Sequence, residues 1–497
     1  MKIAIDLQGC QNQNNRYRGI GRYSLSVIKN LIRDRDDQFI LVSNANLPNI
    51  SSDFNEELSA TNSKVTYLNW YYPEFNSFSS KDQDYFRKIA TILYSYTYLS
   101  IQPDVILLTS FFDGFEDLAI TQFDHDFDLA PIACIFYDLI PLLNPSLYFD
   151  KNNKYKKFYM ERIKDLNKLD LLLTISEYTK TELINTLSLE KTEIKNISSG
   201  CNNEIFSVKA KNKLEQIKLI DNYGCFILYV GAVDPRKNVK RLIEAYSLLK
   251  KTLQDKFTLV LAGYYNHAEK LKIRDYTVRF GISPKSIILT GYISDNQLAD
   301  LYKNCSLFVM PSLHEGFGLP LLEAMNCGAP AICSKLTSLP EVIGNEEALF
   351  DPYNSGEIAS LITRCLTDVC FAKSLIRKGL ERSKLFSWKT TAENVYEAIK
   401  IYEVSRICNS ESIELNWESF KKNKEKNFIF LKDKLFQLKS LGFLLDNYLE
   451  TISACIDLID QSITAIGRKI NDIPRSFNWR LEGPFDSNYS LAILNSE

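Results

Sequence analysis

The stretch from Ser306 to Ser334, SLFVMPSLHEGFGLPLLEAMNCGAPAICS, constrains the fold more than any other part of the chain. Leu307–Met310 is an apolar run of strand length, and Pro311 stops it. His314-Glu315-Gly316-Phe317-Gly318 follows as a loop whose two glycines allow a ligand to approach the backbone closely. Pro320 suits the start of a helix, where its missing N–H would be unpaired in any case. Leu321, Leu322, Ala324 and Met325 continue that helix, Gly328 is placed to end it, and Ala329–Cys333 reads as the next buried strand. The helix N-terminus therefore faces the loop and offers an anion site. Glu315 and Glu323 flank that site. Carboxylates beside an anion site are better matched to sugar hydroxyls, which donate to them, than to phosphate. A plain strand–helix–strand connection with a glycine cap would need only one of these features, and here they coincide.

The length of 497 residues is too great for one core and implies two domains plus an addition. With 45% hydrophobic and 24% charged residues the composition is that of a globular protein. A formal net charge of −2 gives no sign of a nucleic-acid partner. The eleven cysteines are scattered without a Cys-x-x-Cys pair. Cys134, Cys225, Cys305 and Cys333 fall in or beside apolar runs, which predicts reduced, buried thiols in a cytoplasmic protein. Three histidines (His125, His267, His314) make a histidine-rich metal centre an unpromising reading. A strand begins within two residues of Met1, leaving no signal peptide, and no apolar run reaches membrane-spanning length.

Residues 1–205 alternate short apolar runs with amphipathic stretches: Ile3–Ile5, Phe39–Val42, Val65–Leu68, Val105–Leu108, Ile132–Phe136 and Leu171–Ile175. That alternation predicts a doubly wound parallel sheet, whose ligands bind at the carboxyl ends of the strands. Gly19 and Gly21 precede a periodic helix, flanked by Arg18 and Arg22, which read equally as solvated helix-start residues. A lone Gly-x-Gly lacks the third glycine of a dinucleotide site, so a nicotinamide cofactor is not favoured. Asp138 follows another strand, either as a site carboxylate or as a turn cap. Ser176 is read as an N-cap. The basic, aromatic run Lys151–Tyr159 reads first as a solvated face and second as a surface for an anionic lipid or membrane.

Residues 222–385 repeat the pattern with runs at Phe226–Val230, Leu259–Ala262, Ile287–Leu289, Leu307–Met310 and Ala331–Cys333, and helices at Val239–Lys250 and Asp295–Tyr302. The cleft between two such halves is the expected site. Gly231-Ala232-Val233-Asp234-Pro235-Arg236-Lys237-Asn238 follows a strand and opens a helix. There Arg236 and Lys237 offer a planar fork and a point charge to phosphate oxygens. Two fixed cations can stabilise a departing nucleoside diphosphate, as a divalent metal does elsewhere. Asp34-Arg35-Asp36 and Asp124-His125-Asp126 have the letters of a metal motif but not its strand-end context, and both read as surface.

Trp388–Tyr402 reads as a helix, within a segment 386–404 that crosses between domains. Beyond a lysine-rich stretch, Leu431, Leu435, Leu438, Gly442, Leu445, Leu449, Ile452, Ile456, Ile459, Ile463, Ile466 and Ile470 keep a 4-3 spacing broken only by Gly442. The repeat predicts a coiled coil over 428–472, a rod of roughly 60 Å, with homo-oligomerisation as its leading form and packing on its own domain as the other.

EGFGLPLLE resembles the donor-site signature of family 4 retaining glycosyltransferases, which have the two-domain GT-B fold. The resemblance covers about 1–404 and is specific in the second domain and looser in the first. RGIGRY, YDLIPL and DPRKN look most like mannosyltransferases of bacterial surface polysaccharide. Two departures stand out: Tyr137 occupies the place of a histidine common in the family, and Ala232 that of an arginine, whose work falls to Arg236. The resemblance implies a nucleotide-sugar donor, first GDP-mannose and second a UDP-sugar, with no metal or other cofactor. It implies a growing glycan or lipid-linked glycan as acceptor, as in O-antigen synthesis, at the inner face of the cytoplasmic membrane. Arg236 and Lys237 would hold the diphosphate, with Gly19 and Gly21 reaching toward it. Glu323 would hold the ribose, and Ile293 the base. Glu315 with the backbone of Gly316, Phe317, Gly318 and Leu319 would hold the sugar, and Asp138 would act from the acceptor side. A sugar-nucleotide isomerase of the same fold and a non-catalytic coiled-coil scaffold are the rivals. The segment 479–497 resembles the opening of a further transferase domain, and a short docking segment is the alternative.

Overall fold

A computed structural model describes residues 1–12, 19–50, 64–73, 80–150, 152–209, 224–409, 426, 429–431, 433–435 and 449–469. The first half contains β1 (Lys2–Asp6), β2 (Gln38–Asn44), β3 (Val65–Trp70), β4 (Val105–Leu108), β5 (Ile132–Phe136), β6 (Leu171–Thr174) and β7 (Glu193–Asn196). They pair in parallel in the order β3-β2-β1-β4-β5-β6-β7. Helices relevant to the site are α1 (Gly19–Ile32), α2 (Ser80–Ile101), α3 (Asn153–Asp165) and α4 (Glu177–Thr186). The second half contains β8 (Cys225–Val230), β9 (Phe257–Ala262), β10 (Ile287–Leu289), β11 (Leu307–Met310), β12 (Ala331–Ser334) and β13 (Leu349–Phe350), ordered β10-β9-β8-β11-β12-β13. Its helices include α5 (Val239–Ser247), α6 (Asp295–Asn304) and α7 (Leu319–Asn326). After them come α8 (Trp388–Asn409) and α9 (Leu449–Lys469).

The strands lie where the apolar runs are because a parallel sheet with helices on both faces buries both sides of every central strand. β4, β5, β6, β11 and β12 are buried at every residue. The sequence pattern omits β7 and β13. β7 is the polar EIKN, half-buried along its length at one sheet edge, and β13 has two residues. Helix propensity over Val239–Lys250 does not carry through: α5 ends at Ser247 and a separate turn of helix runs from Lys251 to Lys256. Cys225, expected to be buried, is exposed at the outer end of β8, whereas Cys134, Cys305 and Cys333 are buried, and all are free thiols.

α8 crosses back onto the first domain. Trp388 meets Tyr23 of α1 edge-on at 5.0 Å, Tyr396 donates to Asp37 at 2.9 Å, and Tyr402 donates to Asp170 at 3.0 Å. Among the described residues no helix is long and apolar enough to cross a membrane.

The seam expected to form a coiled coil is used differently. Leu431, Leu435, Ile452, Ile456, Ile459 and Ile463 are buried in the first domain's own core, with Trp70 of β3 and Ile89 and Leu93 of α2. α9 lies against β3 and α2, and Tyr96 donates to Asp460 at 2.9 Å. Lys434 reaches Asp124 and Asp126, so the second Asp-x-Asp is an anchor for the extension. A 4-3 repeat establishes one apolar face and leaves open what covers it. Here the cover is an edge strand together with α2, a helix of 22 residues. Leu438, Gly442, Leu445, Ile470, Pro474 and the segment 479–497 lie outside the described residues.

Ile459 has no exposed surface. Ile459→Ala should lower stability by about 2–5 kcal/mol, the usual loss for emptying a well-packed site. Its thermal midpoint should not vary over about a hundredfold range of protein concentration, whereas a face shared between two copies would make it vary.

Candidate active site

Each sheet has a topological switch point, where neighbouring strands send their connections to opposite faces. In the second sheet it lies between β8 and β11, and the DPRKN turn and the HEGFG loop leave those two strands. The turn is held by its own letters. Asp234 caps a short 3-10 turn by accepting from Arg236 N at 2.9 Å, and Pro235 occupies its first position. Asn238 adopts φ 59°, a conformation asparagine tolerates, and its amide donates to Pro311 O at 3.0 Å and Pro352 O at 2.8 Å. Leu313 N donates to Arg236 O at 2.6 Å, which joins the turn to the loop.

Glu315 is 7% exposed, yet it meets two cations. Lys237 Nζ lies 2.6 Å from Oε1 and Arg236 Nη1 3.4 Å from Oε2. Burial pushes its carboxyl upward, but Lys237 and Arg236 overcome that and hold it below the ordinary glutamate range. Arg236 also donates to His314 O at 3.1 Å. Its Nε is buried without a hydrogen-bond partner, 3.7 Å from Asp234 Oδ2. Burial opposes the guanidinium charge, while Glu315 and Asp234 more than restore it.

The loop is tied to both domains. Ser338 Oγ donates to Glu315 O at 2.9 Å and to Phe317 O at 2.8 Å. The N–H and C=O of a trans peptide point opposite ways, so the N–H groups of Gly316 and Gly318 face away from Ser338. From the first domain, Ser176 Oγ and Thr179 Oγ1 both donate to Gly316 O, at 2.7 and 3.0 Å. Ser176 also accepts from Thr179 N at 3.0 Å, so it caps α4 and bolts the domains together. A Cβ on Gly316 would lie 2.4 Å from Tyr137 O and 3.4 Å from Asp138 Cβ, so only glycine admits this approach. Gly318 caps α7 at φ 112°, with Leu319 and Pro320 opening the helix.

Asp138 thus stands across the domain boundary from Gly316, half-buried, accepting from Ile140 N at 3.0 Å. Burial raises its carboxyl despite the Ile140 N–H, Arg236 and His314. Tyr137, in the place of the expected histidine, turns its hydroxyl to Ser24 at 2.7 Å and Thr109 O at 3.1 Å. It is a structural group here. Glu323, 5% exposed, accepts from Tyr302 at 3.2 Å and from Arg22 of the first domain at 3.1 Å. Ile293, half-buried after β10, is two residues from Asp295, which lies 3.4 Å from Arg22. Gly19 and Gly21 open α1 beside Arg22, and a Cβ on Gly19 would meet nothing within 4 Å. Arg18 lies outside the described residues.

Several cross-domain contacts have no sequence signal. Glu341 accepts from the N–H groups of Glu177 and Tyr178 at 3.0 and 3.1 Å and so caps a helix of the other domain. Tyr148 reaches Asp234 at 3.4 Å. His314 Nε2 lies 3.1 Å from Glu182 Oε1, within ion-pair range, but the angle makes no hydrogen bond. The Arg22–Glu323 contact was half visible, as an arginine at a helix start.

Residues 210–382 match the family Glycosyl transferases group 1. The serotype-specific mannosyltransferase WbdA of Escherichia coli is 34% identical over 411 residues, which cover 80% of this chain and 48% of WbdA. The O-antigen chain mannosyltransferase B of Escherichia coli is 32% identical over 249 residues, covering 49% of this chain and 64% of that protein. The chain thus spans about half the length of WbdA. Among solved structures, sucrose-phosphate synthase from Thermosynechococcus elongatus superposes with TM-score 0.61 at 18% identity, over 81% of this chain and 99% of that one. Anabaena HepE in complex with UDP and glucose superposes with TM-score 0.59 at 18% identity, over 81% of this chain and 100% of that one. The fold is the GT-B arrangement of two Rossmann-like domains.

Glu315 sets a pH dependence. Because its folded carboxyl is depressed, its ionisation stabilises the fold above the unfolded value, and that support is lost as pH falls through the folded value. The stability of wild type relative to Glu315→Gln should therefore drop as pH is lowered below the ordinary glutamate range, measured by thermal unfolding. A constant difference between the two proteins would contradict the ionised assignment.

Proposed function

We propose that this chain, with its glycosyl transferases group 1 domain facing a second Rossmann-like domain, is a mannosyltransferase that extends a bacterial surface glycan such as O-antigen. The observation that carries the reading is the convergence of Arg236, Lys237 and Glu315 at the switch point. The donor is GDP-mannose by preference, a UDP-sugar being the alternative. Its diphosphate lies against Arg236 and Lys237, near Gly19 and Gly21. The ribose lies against Glu323, and the base near Ile293. The sugar sits over the Gly316–Gly318 backbone with Glu315 accepting from its hydroxyls.

Chemistry follows from those placements. An acceptor hydroxyl forms a bond to the anomeric carbon as the bond from that carbon to the diphosphate oxygen breaks. The electron pair leaves with the diphosphate, where the two cations stabilise it without a metal. The acceptor's proton departs to solvent or to the diphosphate, and Asp138 orients the acceptor from the opposite domain. Retention of configuration is part of the proposal and rests on the signature Glu315–Glu323. Lys154, Lys156 and Lys157, exposed on α3, support a lipid-linked acceptor presented at an anionic cytoplasmic membrane face.

Incubation with GDP-mannose, UDP-sugars and mannan oligosaccharides, with the product anomer read by NMR, tests the reading. Lys237→Ala should lower kcat about 10²- to 10³-fold, the usual cost of removing one preorganised charge stabiliser, while thermal unfolding shows a folded protein. Near wild-type turnover in that variant would remove the central claim. Donor conversion without any acceptor would point to the isomerase.

A further inference from the structure

Glu323 has a stoichiometry that bears on how it holds a ribose. An ionised carboxylate offers about four lone-pair sites, two on each oxygen. Oε1 receives Arg22 Nη2 at 3.1 Å and Oε2 receives the Tyr302 hydroxyl at 3.2 Å, so one site per oxygen remains. Two sites, one on each oxygen, match a vicinal diol. A protonated carboxyl could not serve both hydroxyls as an acceptor, so this geometry requires the charge.

The surroundings make that charge hard to keep. Glu323 is 5% exposed and packed on α7. The titratable groups facing it are Arg22 from α1, Asp295 and Tyr302 from α6, Cys201 from the segment between the domains and Cys327 at the end of α7. Arg22 is the single cation among those groups. Burial is the largest influence and raises the carboxyl, Asp295 adds to it, and Arg22 with the Tyr302 hydroxyl opposes both. Arg22 belongs to the other domain, and its guanidinium also lies 3.4 Å from Asp295 of α6 and 5.6 Å from the Phe206 ring. Of the groups named, only the Tyr302 hydroxyl opposes the effect of burial on Glu323 from within the second domain.

We propose that Arg22 is a positioning residue of the donor site: reaching from the first domain, it holds Glu323 as an ionised carboxylate with one free acceptor position on each oxygen for the two ribose hydroxyls. This rests on the nucleotide-sugar reading of the site. It makes nucleotide affinity depend on the first domain's placement through one guanidinium.

The test is calorimetric titration of the whole chain with GDP and with UDP between pH 8 and pH 5. In wild type, affinity should decline toward the acid end as Glu323 takes up a proton. Arg22→Ala should bind the preferred nucleotide roughly tenfold more weakly or worse, in the range of a lost charged hydrogen bond, and its decline should begin at higher pH. Arg22→Lys keeps the charge and should keep the wild-type profile. In Glu323→Gln, which cannot titrate, replacing Arg22 with alanine should cause no additional loss toward acid pH. That double variant, and the lysine variant, report even if Arg22→Ala fails to fold. An unmoved acid limb in Arg22→Ala, a displaced one in Arg22→Lys, or the same acid-dependent loss in the Glu323→Gln background would overturn the proposal. If neither nucleotide binds wild type at any pH, the functional reading falls, and this inference falls with it.

Discussion

The buried carboxylate of Glu315 between Arg236 and Lys237 is the interaction on which the site depends. Two unit charges about 4 Å apart attract by about 4 kcal/mol at an effective dielectric near 20. Removing such groups from water costs several kcal/mol per ion, so the net contribution to stability is small or unfavourable. Apolar residues of similar volume would hold β8 and β11 together at least as well. The cluster is therefore a charge arrangement at the switch point that adds little to stability.

Around that cluster, each wall of the loop is fixed by a different domain. Ser338 draws two carbonyls of residues 315–317 toward the second domain, and Ser176 with Thr179 draws the third toward the first. Gly316 makes this possible, since any side chain would enter the space occupied by the Tyr137 carbonyl. The glycine read as room for a ligand is thus also room for a neighbouring domain. One residue type answers both needs because both are demands for close backbone approach.

That double use explains what the sequence disclosed. Buried parallel strands are continuous apolar runs, so eleven of the thirteen strands were visible, and two of the four edge strands, β7 (polar) and β13 (very short), were not. Motifs confined to one turn were equally legible: Ser176 capping a helix, Pro320 opening one and Gly328 ending it act within a few residues. Contacts between domains join positions far apart in sequence, such as Glu341 to Glu177 or Arg22 to Glu323, and nothing in either partner's own neighbourhood names the other. The seam of α9 failed for a related reason. Its period was correct, but which surface would cover it depended on β3 and α2, over three hundred and fifty positions away.

The same contacts define how the two domains meet. α8 and α9 both pack on the first domain, which makes it the larger body, so the second domain meets it through the segment around Phe206, the start of α8 and the site itself. The polar contacts across the boundary are made largely by the site's own neighbourhood: the Gly316 carbonyl, Glu323, Asp234 and His314. Beside them, Phe206 meets Tyr302 and Phe317 meets Phe386, and one buried apolar cluster includes residues of both domains. A ligand that engages Glu323 and the HEGFG loop therefore acts on the groups that set the domain spacing. The same few lone pairs and N–H groups thus serve both the cleft and the contact between the domains.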